Sequence, residues 1–347
     1  MNTSEPGSQR LRETSPPIHA IFETTPCPMC GAEAGTPLVR TGDLLFPGDA
    51  EFQLVSCSHC GHIYQNPRPT PAAIGSFYPE AYHPFLSAIE DEASPLRRLD
   101  RAFGLRMRCQ AVHRAADRRP GRLLDVGCAT GVFLDGMRRL GWAVQGVEPS
   151  AYAAGYARRR FGLEVFEGLL EEARLPEATF DAITMWDVLE HVHEPRPVLA
   201  ELARLLRPGG LLVLSLPNPD SLEARLLGEH WLGWDLPRHL NLFRPTQLRV
   251  HLARYGMPVE RIRSFTAGHA VMVMSLARKL SAAGYGPAIP RLLSSPPVRL
   301  LSRLYYSGPA DWYNLSSIMV VFARRGSAPH ASQELLRDVA PLALNQG

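Results

Sequence analysis

The sequence lacks long apolar runs and a strong net charge, and it contains a single lysine. No stretch reaches the roughly 18 consecutive apolar residues that a membrane-spanning helix needs. Residues 1–24 contain no apolar core of the kind found in a secretory signal. The net charge of +3 over 347 residues is too small to indicate nucleic-acid binding. Because Lys279 is the only lysine, the basic side chains are nearly all arginine, which we attribute to genome composition. We therefore expect a cytoplasmic protein that does not bind nucleic acid.

Cysteine is also scarce, but four of the six cysteines fall into two pairs, "CPMCG" and "CSHCG". Each pair is Cys-x-x-Cys followed by glycine, which is typical of a zinc knuckle. Two thiolates come from one tight turn, and the glycine lets backbone amides point at the sulfur atoms. A redox dithiol or isolated thiols are the alternatives. We predict a structural zinc ribbon over residues 25–66, formed as a hairpin with an insertion and with these metal ligands: Cys27, Cys30, Cys57 and Cys60.

From residue 121 onward, short apolar runs alternate with segments of helical spacing. The runs are "RLLDVG", "AVQGVEPS", "EVFEG", "FDAITMWDVLEHV" and "GGLLVLSLPN". Strands that alternate with helices of ten to fifteen residues predict a parallel, doubly wound α/β sheet. Two later runs, "VERIRSF" and "SSIMVVFARR", predict an antiparallel pair that completes the sheet.

The first two strands end in residues that indicate a ligand. In a sheet of this kind, ligands bind at the carboxyl ends of the strands. Gly127 and Gly131 would let the backbone approach a ligand closely, and Glu148 could bond the two hydroxyls of a ribose. The acidic Asp125 precedes the glycines, so the loop would repel a phosphate and suit a positively charged ligand.

Four motifs in order resemble the class I S-adenosylmethionine-dependent methyltransferases. They are "LLDVGCATG", "GVEPS", "FDAITMWDVLEHV" and "LLRPGGLLVLSLPN", and they cover roughly residues 120–220. The resemblance implies a Rossmann-like, seven-stranded α/β sheet with S-adenosylmethionine as cofactor. It also implies the following cofactor contacts: Asp125, Gly127 and Gly131 around the methionine part, Glu148 on the ribose, Leu169 and Leu170 beside the adenine, and Trp186 in the cleft.

The segment "WDVLEHVHEP" follows the fourth strand, where an acceptor would meet the methyl group. A hydroxyl or carbon nucleophile needs a histidine or carboxylate to take its proton. The segment resembles the Glu-x-x-Glu-His arrangement of the ubiquinone-biosynthesis O-methyltransferases and the small-RNA 2′-O-methyltransferases, which is linked to a divalent metal and a later histidine. Three hypotheses remain open: a second metal site of Asp187, Glu190, His191 and His239; a metal-free base and orienter, His191 and His239; or a purely structural role for Glu190 and His191.

The cysteine pairs and the proline-rich segment after them suggest the acceptor. Together they resemble the zinc-bearing C-methyltransferases of nucleotide-linked deoxysugars. We expect O-methylation of a small molecule: a sugar, a glycan precursor or a natural-product intermediate. C-methylation of a nucleotide-linked sugar and a non-catalytic, cofactor-binding interaction module are the alternatives. Tyr78, Tyr82 and His83 are plausible acceptor contacts.

The remaining chain suggests a division into domains. Residues 268–313 could suit a membrane surface, but we favour a cap over the cleft or a homodimer face. The predicted division is a disordered tail (1–24), the ribbon (25–66), a linker with helices (67–120), the methyltransferase domain (121–325) with a cap or insert (220–313), and a second disordered tail (326–347).

Overall fold

A computed structural model describes most of the chain. The described residues are 21–79, 88–265, 268–295, 298, 301–302, 305–306, 308–313 and 315–326. The predicted disordered tails lie almost entirely outside the described residues, and so do Tyr82 and His83. At the end of the first predicted tail, Phe22 and Glu23 pair with Pro69 and Arg68.

The N-terminal part of the chain contributes strands to two small antiparallel sheets. These strands are Phe22–Glu23 (β1), Gly35–Gly42 (β2), Glu51–Cys57 (β3), Ile63–Gln65 (β4) and Arg68–Pro69 (β5). Strands β1 and β5 pair with each other, and β2, β3 and β4 belong to the larger N-terminal sheet. Strands β2 and β3 form the hairpin expected between the cysteine pairs, and β4 pairs with β3. A long helix, Pro95–Ala115 (α1), follows, and the Ser94 hydroxyl accepts a hydrogen bond from the backbone N–H of Arg97 at its start.

Eight further strands follow α1. They are Arg122–Val126 (β6), Ala143–Glu148 (β7), Val165–Glu167 (β8), Phe180–Trp186 (β9), Leu206–Pro217 (β10), Asn241–Leu242 (β11), Val259–Arg263 (β12) and Ile318–Arg324 (β13). All except β11 form one sheet in the order β12-β13-β10-β9-β6-β7-β8. Strand β13 runs antiparallel to both of its neighbours, and the strands from β10 to β8 are parallel. This confirms the predicted seven-stranded sheet and its antiparallel pair.

The helices after α1 complete the domain. They are Val132–Arg138 (α2), Ala151–Phe161 (α3), Pro195–Leu205 (α4), Leu222–Leu227 (α5), Pro245–Arg254 (α6), Gly268–Ala282 (α7), Ala288–Leu293 (α8) and Pro309–Trp312 (α9). Leu212 and Leu214 of β10 belong to one buried cluster, and Leu211 and Val213 belong to another. Because successive strand residues face opposite sides, β10 is apolar on both faces, which explains its unbroken hydrophobic run. Within the described residues, no helix is both long and apolar enough to cross a membrane.

Strand β11 connects the N-terminal sheet to the rest of the molecule. It pairs antiparallel with β4, with Asn241 opposite Tyr64 and Leu242 opposite Ile63. The N-terminal sheet therefore has the order β11-β4-β3-β2. One strand of the N-terminal sheet therefore comes from the segment after β10. His239 lies in the same segment.

Candidate active site

Two positions in the loop after β6 require glycine because of their backbone conformation and their close packing against other side chains of the chain. Gly127 has a φ of +71°, and a Cβ there would lie 2.5 Å from Cγ2 of Val188. Gly131 has a φ of +78°, and its Cβ would lie 2.6 Å from Cδ1 of Leu163 and 2.9 Å from Cβ of Ala157. Both positions need glycine for backbone conformation and for packing. The close approach expected from the sequence is therefore made by this chain's own side chains, and the cofactor contact of these two glycines stays a prediction.

Two buried carboxylates lie at the ends of the first two strands of the main sheet. Asp125 is 2% exposed and accepts a hydrogen bond of 2.6 Å from the hydroxyl of Thr184. Burial raises the pKa of Asp125 to about 7. Glu148 accepts backbone N–H groups from Ala129 and Ser150, each at 2.9 Å. Burial raises the pKa of Glu148 as well, while these two hydrogen bonds oppose the rise.

The two leucines predicted beside the adenine have different environments. Leu169 is 56% exposed, whereas Leu170 is 4% exposed and packs in the core. Only Leu169 therefore presents its side chain to a ligand at the surface.

Trp186 is the last residue of β9. Its ring packs edge to face against Phe133, with centroids 5.2 Å apart, and the Arg108 guanidinium carbon lies 5.5 Å from its centroid. The indole N–H has no hydrogen-bond partner among the described residues. This buried N–H is a donor that a ligand could use, and the role of Trp186 beside the cofactor stays a prediction.

Three predicted catalytic side chains meet just after β9. One potential ligand atom from each of Glu190, His191 and His239 lies within 4.8 Å of the others. Glu190 is fully buried, and within the described part of the chain neither of its carboxylate oxygens has a hydrogen-bond partner. Burial raises the pKa of Glu190 well above its usual value, and the nearby Asp187 raises it further. An ionised carboxylate buried without partners is costly, so the carboxyl group of Glu190 is protonated unless a cation or a hydrogen-bond donor binds it.

The two histidines of this group are held by backbone carbonyls. Nδ1 of His191 lies 3.0 Å from the carbonyl oxygen of Arg238, and Nδ1 of His239 lies 2.9 Å from that of Gly233. Because a carbonyl can only accept, we assign a proton to each Nδ1, which leaves the Nε2 lone pairs available. Burial lowers the pKa of both imidazoles, that of His191 to about 3 with a further contribution from His239. Both rings are therefore neutral at physiological pH.

Asp187, predicted as a fourth member, lies outside this group. Its carboxylate accepts a hydrogen bond of 2.7 Å from the hydroxyl of Ser215 on β10. Its backbone has a φ of +55°, a left-handed conformation that aspartate tolerates better than most residues. Asp187 thus contributes to the turn after β9 and to the charge around Glu190.

Three further residues surround the histidines. The hydroxyl of Tyr78 lies 3.0 Å from Nδ1 of His191, so one predicted acceptor contact does reach the site. Arg238 and Asp235 form a buried ion pair with a shortest N–O distance of 2.7 Å. The two residues are three apart in the chain, so this pair forms within one turn.

The four paired cysteines also come together. Sγ of Cys27 lies 3.6 Å from Sγ of Cys60, Sγ of Cys30 lies 3.5 Å from Sγ of Cys57, and all four sulfur atoms lie within 4.8 Å of one another. In each turn the glycine N–H donates to the carbonyl of the first cysteine, at 2.8 and 2.9 Å. None of the four is in a disulfide. Zinc–sulfur bonds of about 2.3 Å in a tetrahedron place sulfur atoms about 3.8 Å apart, so the cluster is compatible with a zinc ribbon.

Comparison with known proteins agrees with this geometry. Residues 99–261 match a family model described as a methyltransferase domain. This stretch of the chain, from α1 to β12, is therefore similar to a methyltransferase domain.

Two relatives give a finer comparison. The ubiquinone biosynthesis O-methyltransferase of Maricaulis maris is 36% identical over 152 residues, which are 39% of this chain and 58% of that relative. The mitochondrial ubiquinone biosynthesis O-methyltransferase of Schizosaccharomyces pombe is 39% identical over 114 residues, which are 30% of this chain and 41% of the relative. This chain thus spans less than two thirds of the length of either relative.

Among solved structures, an S-adenosylmethionine-dependent methyltransferase from Archaeoglobus fulgidus is similar at 18% identity with a TM-score of 0.43. The similarity covers 64% of this chain and 94% of that one.

Proposed function

We propose that this protein transfers the methyl group of S-adenosylmethionine to a hydroxyl oxygen of a small molecule, at a centre that holds a divalent cation. The centre consists of Glu190, His191 and His239. One observation carries the proposal: a fully buried carboxylate without partners among the described residues lies beside two neutral histidines, at the carboxyl edge of the sheet. The comparisons support oxygen as the target, because both relatives are named O-methyltransferases.

The donor set fits a divalent cation. It combines one carboxylate with two imidazoles whose Nδ1–H groups bond to backbone carbonyls. Such an outer hydrogen bond is the usual partner of a metal-bound histidine, because it fixes the ring and directs the other nitrogen. When bound, a divalent cation lowers the pKa of a coordinated hydroxyl and so prepares it for attack. A metal-free base and orienter would need the same two rings but would leave Glu190 unexplained.

The residues of the glycine loop and the second strand fit the cofactor. S-adenosylmethionine supplies a methyl group on a positively charged sulfonium. In this proposal the positive sulfonium favours the ionised form of Asp125, which then provides negative charge nearby. Glu148 accepts the ribose hydroxyls, and Leu169 covers the adenine. Glu148 already accepts the N–H of Ala129, so its carboxylate is oriented before a ribose arrives, which reduces the entropy lost on binding.

The residues around the histidines would position the acceptor. Tyr78 and the carbonyl of Arg238 both contact Nδ1 of His191, so the ring is fixed from two sides. In methyl transfer the acceptor hydroxyl gives up its proton to solvent, and its oxygen bonds to the methyl carbon as the carbon–sulfur bond breaks and S-adenosylhomocysteine leaves. This in-line displacement depends mainly on correct placement of the two reactants. We propose a sugar, a glycan precursor or a natural-product intermediate as the acceptor, since the ribbon and the segment after it resemble sugar methyltransferases.

We further propose that Cys27, Cys30, Cys57 and Cys60 bind a structural zinc ion. Four thiolates at this spacing repel one another unless a cation lies between them, and the distances fit a tetrahedral site. The ion would fix the two turns and the hairpin between them. It would have no part in the chemistry.

The test uses S-adenosylmethionine with a ¹³C-labelled methyl group. The purified protein is incubated with an extract of its own source that has been separated into small-molecule, lipid, nucleic-acid and protein fractions. We expect label in the small-molecule fraction, and NMR of the product should show a methoxy carbon. Glu190→Gln should lose the transfer, whereas the exposed Glu177→Gln should keep it.

Other outcomes would change the assignment. A C-methyl resonance would replace oxygen with carbon as the target. Label in the nucleic-acid or protein fraction alone would contradict a small-molecule acceptor. Equal activity of Glu190→Gln and the unaltered protein would remove Glu190 from the centre.

A further inference from the structure

Arg238 is a buried side chain that connects three segments of the chain. Its side chain has no exposed surface. Its two terminal nitrogens each donate to a carboxylate oxygen of Asp43 at 2.7 Å. It also donates to Asp235, with a shortest distance of 2.7 Å, and to the carbonyl of Phe77 at 3.2 Å. The planar guanidinium therefore joins the loop between β2 and β3, the segment before α1 and the turn that precedes β11.

The loop between β2 and β3 is prepared for this contact. The carboxylate of Asp43 accepts the backbone N–H groups of Leu45 and Phe46, at 2.8 and 2.9 Å. The ring of Phe46 lies 5.4 Å from the guanidinium carbon of Arg238. A two-pronged pair between arginine and a carboxylate fixes orientation as well as distance. The loop thus presents an oriented charge and an aromatic face to a single side chain.

The same arginine residue touches the proposed catalytic centre through its backbone. The carbonyl oxygen of Arg238 accepts the Nδ1–H of His191 at 3.0 Å. The backbone N–H groups of Arg238 and His239 both donate to the carbonyl of Asp235, at 2.9 and 3.0 Å. The side-chain pair and these backbone bonds therefore define one turn, and both histidines of the centre depend on it.

We propose that Asp43 is a positioning residue for methyl transfer: through Arg238 it fixes the turn at 235–239 and thereby the imidazoles of His191 and His239. The hairpin of β2 and β3 is then part of the active site, although none of its residues belongs to the group of Glu190, His191 and His239. This inference rests on the proposed function and deepens it. A loop that is distant in sequence determines whether the catalytic rings are in place.

The test compares Asp43→Asn with Asp49→Asn in the full-length protein. Asp49 is exposed and lies on the same loop, so it is a matched control. The buried imidazole N–H of His191 should give a resolved signal in a ¹H–¹⁵N spectrum of histidine-labelled protein, identified by its loss in His191→Gln. We expect Asp43→Asn to lose this signal and to reduce kcat about 100-fold, the effect of displacing reacting groups by about 1 Å, without a change in cofactor affinity. Asp49→Asn should match the unaltered protein.

Two further variants separate positioning from folding. Asp43→Glu restores the carboxylate and should recover the His191 signal, whereas Arg238→Lys keeps the charge but loses the fork and should not. If Asp43→Asn does not fold, these two variants decide the question. A folded Asp43→Asn protein with an intact His191 signal would overturn the proposal. The signal is recorded without any acceptor, so failure of the methyl-transfer assay would count against the proposed function and leave the spectroscopic result valid.

Discussion

The imidazole rings of His191 and His239 meet edge to face, with centroids 4.7 Å apart and planes inclined by 69°. Each ring is anchored at Nδ1 by a backbone carbonyl of the same segment, that of Arg238 for His191 and that of Gly233 for His239. Their proximity disfavours a second positive charge, and burial lowers the pKa of both. This relationship supports a centre that uses neutral imidazoles.

Asp125 should make the cofactor-free protein less stable as the pH rises. Its pKa is 3.8 in the unfolded chain and about 7 when folded. The folded protein therefore holds this proton more tightly, and the free energy of unfolding is highest below pH 3.8 and falls as the pH rises from 3.8 to 7. Asp125→Asn removes this penalty and should raise the free energy of unfolding by up to about 4 kcal/mol above pH 7 and by less than about 1 kcal/mol near pH 4. Urea unfolding at pH 4 and pH 8 measures the difference. A gain that does not change with pH would show that the carboxyl is not perturbed, and Asp49→Asn should show no gain at either pH.

Glu148→Ala should weaken the binding of S-adenosylmethionine about 10- to 100-fold. The substitution would remove the proposed charged hydrogen bonds to the ribose and removes the acceptor for the N–H of Ala129, and bonds to charged groups contribute about 1.5–3 kcal/mol each. Calorimetric titration measures the dissociation constant. Glu167→Ala is the control, because Glu167 is exposed and makes a surface ion pair with Arg158 that contributes little. Equal affinities for the two variants would remove Glu148 from the cofactor site.

Gly131→Ala should be more destabilising than Gly162→Ala. Both glycines have a positive φ, +78° and +64°, but only Gly131 lacks room for a Cβ. The backbone strain is shared, so the difference between the variants reports the contact with Ala157 and Leu163, which we expect to cost about 1–3 kcal/mol. Chemical denaturation of both variants without cofactor provides the comparison. If the two losses are equal, the close packing of the loop against α3 is not what requires glycine at 131.

The N-terminal module should contain one zinc ion per chain with four sulfur ligands at about 2.3 Å. X-ray absorption at the zinc edge measures the number and distance of the ligands. Cys60→Ser should lose the ion and lower the unfolding temperature. Cys128→Ala, which changes a buried cysteine outside the cluster, should retain the ion. A site with nitrogen ligands, or zinc that survives Cys60→Ser, would contradict the assignment.

The sheet could be predicted because its determinants are local. Strands such as β10 are buried on both faces and carry unbroken apolar runs, and the motifs at their ends mark the ligand edge. The same local logic located both cysteine turns and also Glu190 and His191. His239 is grouped with these two residues only through a resemblance, and the fold does bring the three side chains together; their catalytic role stays a prediction.

The features that could not be predicted depend on contacts between distant segments or on the local turn of the backbone. No pattern near Asp43 indicates that its partner is Arg238, and nothing in "NLF" shows that Asn241 and Leu242 join the N-terminal sheet. Whether a polar side chain joins a site also depends on its turn: Asp187 is directed to Ser215 by the left-handed backbone after β9. Similarly, adjacent leucines such as Leu169 and Leu170 look equivalent in sequence, and only the fold decides which one is exposed.

The most direct test of the central claim is the binding of Mn²⁺ to protein whose ribbon has been loaded with one equivalent of zinc, followed by electron paramagnetic resonance. The account predicts one bound Mn²⁺ per chain in the unaltered protein and in Glu177→Gln, and none in Glu190→Gln or His239→Gln. If the unaltered protein, saturated with S-adenosylmethionine, binds no ion beyond the ribbon zinc, the cluster of Glu190, His191 and His239 is not a metal centre and the proposed mechanism is wrong.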